Sequence, residues 1–138
     1  MKRLFFCLLF LLSLSVQASC VVVVNKSSVI NQLDTKQVAD IFLAKTSYFP
    51  NGEKALPIEL KNSEYRSQFY QHLSGKTNSQ LNAYWTALIF TGKGRPPKRL
   101  DGRDNVISRL ENQQGTISYI DINELTDELK VVYSFPKI

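Results

Sequence analysis

Hydrophobic residues follow two spacings along the chain, and these spacings predict alternating strands and helices. The β-branched segment 20–24 has no polar alternation, which is typical of a strand buried on both faces in a parallel sheet. A helix is predicted from about Thr35 to Ala44, and Asp34 with Gln37 three residues later has the pattern of a capping box. Further strands are predicted at residues 55–60, 116–120 and 130–133.

The longest helical pattern begins at Thr77 or Asn78 and runs into a basic loop. Gly92 stands where a helix C-terminus favours a left-handed residue, and the proline pair 96–97 prevents the helix from continuing. The spacing of its apolar residues predicts one buried face, formed by Leu81, Tyr84, Trp85, Leu88 and Ile89.

Shorter helices are predicted on both sides of this one. Ser63 is expected to cap the first, and Asp104 is expected to cap the second. Asn51 and Gly52 predict a turn between the first helix and the second strand. Because strands alternate with helices, the sequence predicts an α/β domain with a largely parallel sheet flanked by helices.

The first 18 residues have the pattern of a secretory signal peptide. Lys2 and Arg3 precede an apolar run, residues 4–14, and the residues up to Ala18 suit cleavage after that position. A membrane-spanning helix needs roughly 20 apolar residues, so this run is short for an anchor. We therefore expect a signal peptide at residues 1–18 and an exported, periplasmic or secreted domain at residues 19–138.

Charge and cysteine content narrow the function classes. The whole chain has a net charge of +5, and loss of Lys2 and Arg3 lowers it to +3, so whole-chain binding to nucleic acid is disfavoured. Cys7 would leave with the signal peptide, and Cys20 then has no partner for a disulfide. A lipoprotein anchored through Cys20 is a less favoured alternative, because the residues just before it are a poor lipidation context.

The sequence contains no arrangement that predicts catalysis. His72, the only histidine, falls near a predicted helix C-terminus, and no Gly-x-Ser-x-Gly turn presents a nucleophile. The acidic residues Glu124, Asp127 and Glu128 have the pattern of an exposed helical face. We expect no enzyme activity, no metal site and no cofactor.

Several segments resemble one lobe of the phosphate-binding proteins of bacterial ABC transporters. Residues 21–25 resemble the strand by which the chain enters the second lobe of such proteins, and residues 49–52 resemble a turn that has tryptophan where this chain has Phe49. Residues 38–45 are similar to the family's "adIFlGK" helix end, with Ala44 where glycine is usual. Residues 114–120 resemble "pGaIGYv", and residues 84–94 look like a short subgroup of single-lobe relatives.

The resemblance implies a single periplasmic-binding-protein-like lobe over essentially the whole chain after residue 18. In the family, an arginine and a Gly-Ser-Gly-Thr run at a helix start bind the anion. The matching segment here retains only Ser63, and the arginine's position falls near Ile58 or Glu59. Glu64 adds a negative charge in the first turn, and Lys61 and Arg66 could substitute for the lost arginine only in a different geometry.

The basic loop offers a second candidate anion site. Thr91, Lys93 and Arg95 lie at the exit of the long helix, and Lys98, Arg99 and Arg103 follow. Glycine and proline stiffen this loop, which favours a role in binding, whereas a solvated surface loop is the alternative. A helix cap is likewise the alternative role of Ser63. The candidate anion-binding residues are therefore Ser63, Arg66, Thr91, Lys93 and Arg95.

Two functions remain open from the sequence. One is weak binding of phosphate or another small anion, in phosphate uptake or sensing. The other is a protein-interaction or sensor-accessory module that has lost the ligand site. The corresponding partners are a small anion, an exported or membrane protein, and a second copy of the chain that rebuilds a cleft as a homodimer.

Overall fold

The computed structural model describes residues 19–135, so the predicted signal peptide lies outside the described residues. Its strands are β1 (Cys20–Asn25), β2 (Leu56–Leu60), β3 (Lys98–Leu100), β4 (Thr116–Asp121) and β5 (Leu129–Ser134). Its helices are α1 (Thr35–Phe42), α2 (Arg66–Ser74), α3 (Asn78–Phe90) and α4 (Arg103–Asn112), with one 3₁₀ turn at Ile122–Glu124. Within residues 19–135, none of the helices combines the length and the hydrophobicity that a membrane span needs. The predicted α/β class is confirmed.

The five strands form one sheet in the order β3-β2-β4-β1-β5. Strand β2 is parallel to β3 and to β4, whereas β1 is antiparallel to β4 and to β5. Four strands therefore point in one direction, as the largely parallel prediction requires, and β1 points in the other. The expectation that β1 itself pairs in parallel is wrong, because burial on both faces selects apolar residues in either direction.

Strand β1 lies in the middle of three layers. Val22 and Val24 belong to the core under α1, α2 and α3, and Val21 and Val23 belong to the core under α4. All four valines are buried, which follows from the alternation of side chains between the two faces of a strand. The two cores pack the helices against the two faces of the sheet. This packing sets where the loops at both ends of the strands lie.

Capping boxes start α1 and α3. The Gln37 N–H donates to Asp34 Oδ1 at 2.7 Å and the Asp34 N–H donates to Gln37 Oε1 at 2.9 Å, as predicted. Thr77 and Gln80 form the same pair at the start of α3. The prediction that Ile89 lies on the buried face of α3 is wrong, because eight residues place it about 80° round the helix from Leu81, which is buried.

Three local predictions between residues 60 and 105 are corrected. Helix α2 begins at Arg66 rather than beside Ser63, and the Ser63 Oγ accepts from the Tyr65 N–H at 3.2 Å within a preceding turn. Helix α4 begins at Arg103, and Gly102, not Asp104, stands at its N-cap. Residues 98–100 form the edge strand β3, although their charge predicted a loop; charged side chains are common on edge strands.

Candidate functional site

The candidate anion-binding residues lie at two opposite ends of the sheet. Parallel strands β2 and β4 end at Leu60 and Asp121, and ligands of α/β sheets usually bind at such carboxyl ends. Ser63 follows the end of β2, so it lies at this edge. The loop 93–97 precedes β3 and therefore lies at the amino ends of the strands. The structure thus separates the two sets of candidates.

The carboxyl-end cavity has a volume of about 170 Å³ and is predominantly acidic. Arg103 Nη2 lies 3.8 Å from Glu64 Oε1 across it. The charged side chains that line it are Glu64, Arg103, Asp121 and Glu124. Three carboxylates and one guanidinium give a net charge of −2, which repels an anion.

Two hydrogen bonds keep this cavity negative. The Tyr65 hydroxyl donates to Asp121, and the Asn123 N–H donates to Asp121 Oδ1 at 2.9 Å. The bond from Tyr65 makes the larger contribution, and both bonds hold the pKa of Asp121 below its ordinary value. The Ser63 hydroxyl accepts from the Tyr65 N–H within the turn before α2, so Ser63 is not the cap of that helix.

Arg66 contacts a buried carboxylate of the chain itself. Glu59 has no exposed surface, and its Oε1 accepts from Arg66 Nε at 3.5 Å and from Arg99 Nε at 3.2 Å. Its Oε2 accepts from the Tyr70 hydroxyl at 3.1 Å and from the Tyr119 hydroxyl at 2.8 Å. Burial, together with the charge of Glu59, raises the pKa of both tyrosines above the ordinary value.

This Glu59 cluster was missed by the sequence analysis. The family resemblance marks Glu59 only as a position near which the family's arginine is absent. The available signal was an acidic residue inside the apolar strand β2, together with Arg66 in the first turn of the helix that follows. A carboxylate buried among apolar residues requires cationic and hydroxyl partners.

A larger and positively charged depression lies at the amino ends of the strands. It has a volume of about 360 Å³ and is bounded by the loop 93–97, the end of α1 and the end of α4. We call it the basic groove. No carboxylate among the residues that the structure describes lines it. Its polar side chains are Lys93, Arg95, Lys98, Arg109, Gln113, Thr46 and Ser47.

The basic groove continues along the outer side of β3 into an open depression of about 580 Å³. Arg109 and Gln113 line both, so the two form one continuous surface. Arg99 adds a further cation there, and Asp101 adds one carboxylate that lies 3.6 Å from Lys61. Among the described residues, the surface along β3 therefore carries more cations than carboxylates, with its one carboxylate near the end of the strand.

The backbone holds the loop firmly against α1 and α3. Gly92 has φ +68°, as the sequence predicted, and the Lys93 N–H donates to the Leu88 carbonyl at 3.0 Å. A Cβ at Gly94 would lie 2.9 Å from Leu88 Cδ2 and 3.1 Å from Ala44 Cβ, so only glycine fits there without a shift. This packing constrains the backbone at Lys93 and Arg95, whereas both side chains are exposed.

Helix dipoles oppose anion binding in the basic groove. Helices α1, α3 and α4 end near it, and each C-terminus carries roughly half a negative charge. Together they offset about one and a half of the four lining cations. Thr91 does not line the groove, and its hydroxyl donates to the Ala87 carbonyl at 2.8 Å. The remaining field is positive but moderate.

No metal-binding cluster is found in residues 19–135, and the single histidine of the chain forms packing contacts. No group of three or more histidine, cysteine, aspartate or glutamate residues in this range could hold a metal ion. His72 Nε2 lies 2.8 Å from the Tyr133 hydroxyl, and the ring packs edge-on against Phe135. The histidine therefore contributes to packing at the end of α2.

Comparison with known proteins identifies the fold. No family model and no curated protein matches the sequence. A protein of Clostridium perfringens described as a phosphate ABC transporter substrate-binding protein, solved with bound phosphate, superposes with a TM-score of 0.64 over 83% of this chain and 44% of its own, at 17% identity. PstS from Borrelia burgdorferi superposes with a TM-score of 0.63 over 87% of this chain and 49% of its own, at 13% identity.

An ABC-type phosphate transport receptor from Vibrio cholerae gives a TM-score of 0.56 over 83% of this chain and 45% of its own, at 10% identity. The fold is that of one PstS-type lobe. At these identities the likeness concerns the fold alone, and the chain spans under half the length of these proteins. The predicted single-lobe, PstS-like architecture is confirmed.

Proposed function

We propose that the protein is an exported, non-enzymatic, solute-binding-protein-like lobe that binds phosphate or another small oxyanion weakly in the basic groove, in phosphate uptake or sensing. The supporting observation is the lining of this groove, where Lys93, Arg95, Lys98 and Arg109 meet no carboxylate. The solved proteins that share the fold are described as phosphate-binding or phosphate-transport proteins, which makes an oxyanion the favoured ligand class.

The charge balance selects this end of the sheet. The carboxyl-end cavity has a net charge of −2, and Arg66 beside it already contacts Glu59. The basic groove has four cations, reduced by about one and a half charges from the three helix C-termini. Because it is also open to water, we expect dissociation constants in the millimolar range rather than transporter-grade affinity.

Thermal unfolding with phosphate, sulfate and a phosphonate, at constant ionic strength, tests the proposal. An anion at tenfold its dissociation constant stabilises the folded state by about 1.4 kcal/mol. The double variant Arg95→Gln with Lys98→Gln should abolish that gain. Lys61→Gln, which removes an exposed charge at the carboxyl end, and Ser63→Ala should retain it. Loss of the gain in Ser63→Ala but not in the double variant would refute the proposal.

A protein-interaction module is the second candidate. The Glu59 cluster favours it, because this carboxylate contacts the arginine that a solute site at the carboxyl end would need. The cationic surface along β3 would then contact an acidic exported protein. Affinity capture from a periplasmic extract, with the natural chain and with the variant Arg95→Glu and Lys98→Glu, tests this function. A partner that binds the natural chain but not the charge-reversed variant supports it. The absence of a partner, or a partner that binds both, counts against it.

A further inference from the structure

The last turn of α3 presents two large apolar side chains to solvent. Phe90 is 91% exposed and Ile89 is 55% exposed, whereas Leu88 on the inner side packs partly against the core. Single exposed apolar residues are common on protein surfaces, whereas exposed apolar residues that lie together can mark an interaction site.

The outer face of α3 carries no charge. Residues 77–92 contain no lysine, arginine, aspartate or glutamate, which is unusual for a helix with this much exposure. No acidic residue occurs anywhere between Glu64 and Asp101. The exposed residues of this face are Ser79, Asn82, Ala83, Thr86, Ala87 and Phe90.

Cations follow these apolar residues closely along the chain. The left-handed Gly92 and the hydrogen bond from the Lys93 N–H to the Leu88 carbonyl turn the chain back over the helix end. Lys93 and Arg95 thus follow Phe90 by three and five residues in a rigid loop. We call Ile89, Phe90, Lys93 and Arg95 the α3 apex.

We propose that the α3 apex docks on an anionic phospholipid bilayer. A projecting aromatic and an aliphatic side chain can enter the headgroup boundary, while the adjacent lysine and arginine meet lipid phosphates. Phe90 is 91% exposed and lies outside the lining of the basic groove, so the aromatic part of the apex faces solvent. This geometry suits a soft, negatively charged surface.

Charge complementarity disfavours pairing of this apex with the same apex of a second copy of the chain. A second α3 apex would bring its own Lys93 and Arg95, and the region between Glu64 and Asp101 offers no carboxylate to meet them. The proposal shares Lys93 and Arg95 with the proposed anion site but adds Phe90 and Ile89. It does not require that a free anion bind in the basic groove.

Vesicle co-sedimentation tests the proposal with vesicles of equal phosphatidylglycerol and phosphatidylcholine against vesicles of phosphatidylcholine alone. The N-terminus of each preparation is determined by mass spectrometry, and all variants carry the same one. We expect binding to the anionic vesicles that falls steeply with salt. Phe90→Ser should weaken it about tenfold, and Lys93→Gln with Arg95→Gln about twentyfold.

Control variants remove an exposed apolar side chain and an exposed cation elsewhere. Ile122→Ser and Lys61→Gln lie at the carboxyl end of the sheet and should leave binding unchanged. Equal binding to both vesicle types, or equal losses in the control variants, would overturn the proposal. A protein that binds polyglutamate but not vesicles, and whose polyglutamate binding is unchanged by Phe90→Ser, would overturn the proposal in favour of an acidic protein partner. Vesicle binding without stabilisation by free phosphate would separate this proposal from that of the basic groove.

Discussion

The Nε of Arg99 donates to Oε1 of Glu59 at 3.2 Å, although the Arg99 side chain is 47% exposed and that of Glu59 has no exposed surface. Arg66, which is 18% exposed, approaches the same oxygen at 3.5 Å. The lobe therefore contains its own anion between two arginines. Both arginines are ion-pair partners of this buried carboxylate, and one positive charge remains because two guanidiniums face one carboxylate.

Glu59→Gln should destabilise the protein by about 3 kcal/mol, because the half-buried Arg66 loses its counter-ion. Arg99 can turn toward water, which keeps the loss from being larger. Urea unfolding measures the change. The control is Glu64→Gln, an exposed partner of Arg103, which should change the free energy of unfolding by less than about 0.5 kcal/mol. Equal effects of the two variants would show that Glu59 is not a structural counter-ion.

Stability should fall at alkaline pH because of the tyrosines in the Glu59 cluster. Burial and the charge of Glu59 raise the pKa of Tyr70 and Tyr119 in the folded state. The unfolded chain therefore loses phenolic protons first, from a pH of about 10, and unfolding becomes easier as the pH rises. Tyrosinate absorbance should appear together with unfolding. Tyr119→Phe should flatten this pH dependence, and an unchanged slope would argue against the assignment.

Ala44→Gly should stabilise the protein by about 1 kcal/mol. Ala44 has φ +56°, a left-handed conformation that costs a non-glycine residue about this much. The resemblance to phosphate-binding proteins expected glycine there. Ala87→Gly, on the exposed face of α3, should instead destabilise by about 1 kcal/mol. Thermal and urea unfolding would both report the sign, and destabilisation by Ala44→Gly would contradict the strain.

Gly115→Ala should be strongly destabilising, by about 3 kcal/mol or more. Gly115 has φ +83°, and a Cβ there would lie 2.6 Å from the Lys54 carbonyl oxygen. Gly75 also has positive φ, at +68°, but a Cβ there would meet nothing within 4 Å. Gly75→Ala should therefore cost only about 1 kcal/mol. Similar costs at both positions would mean that the close approach of Lys54 relaxes without penalty.

Cys20 should be an unmodified and unreactive thiol in the exported protein. Burial, followed by the charge of Asp121, raises the pKa of this thiol to about 12. We expect alkylation at neutral pH to be about a hundredfold slower than in urea. Mass spectrometry of the exported chain should give a mass that begins at Ser19. A lipid-modified Cys20 at the N-terminus would instead establish the lipoprotein alternative.

Local patterns predicted most of the elements but not how they pair. The capping pair of Asp34 and Gln37 marked the start of α1 correctly, because both halves of that motif lie within four residues. The direction of β1 was not predictable, since Val21 to Val24 are buried on both faces in either pairing. Strand β3 was missed because Lys98 and Arg99 lie at a sheet edge, where charge is tolerated.

The candidate site was only partly predictable for the same reason. The cations of the basic loop are contiguous in sequence, so Lys93 and Arg95 were found directly. Arg109 of α4 reaches the same groove only through the fold. The partners of Glu59 are spread from Arg66 to Tyr119, and no spacing in the sequence joins them.

The most direct test of the central claim is the set of backbone amide resonances that move when phosphate is added at constant ionic strength. Binding in the basic groove predicts that the amide resonances of residues 46–47, 93–95 and 109–113 shift together and fit a single dissociation constant in the millimolar range. The resonances of residues 62–66 should stay unchanged. Shifts centred on residues 62–66, or no shifts at all at millimolar phosphate, would contradict the account.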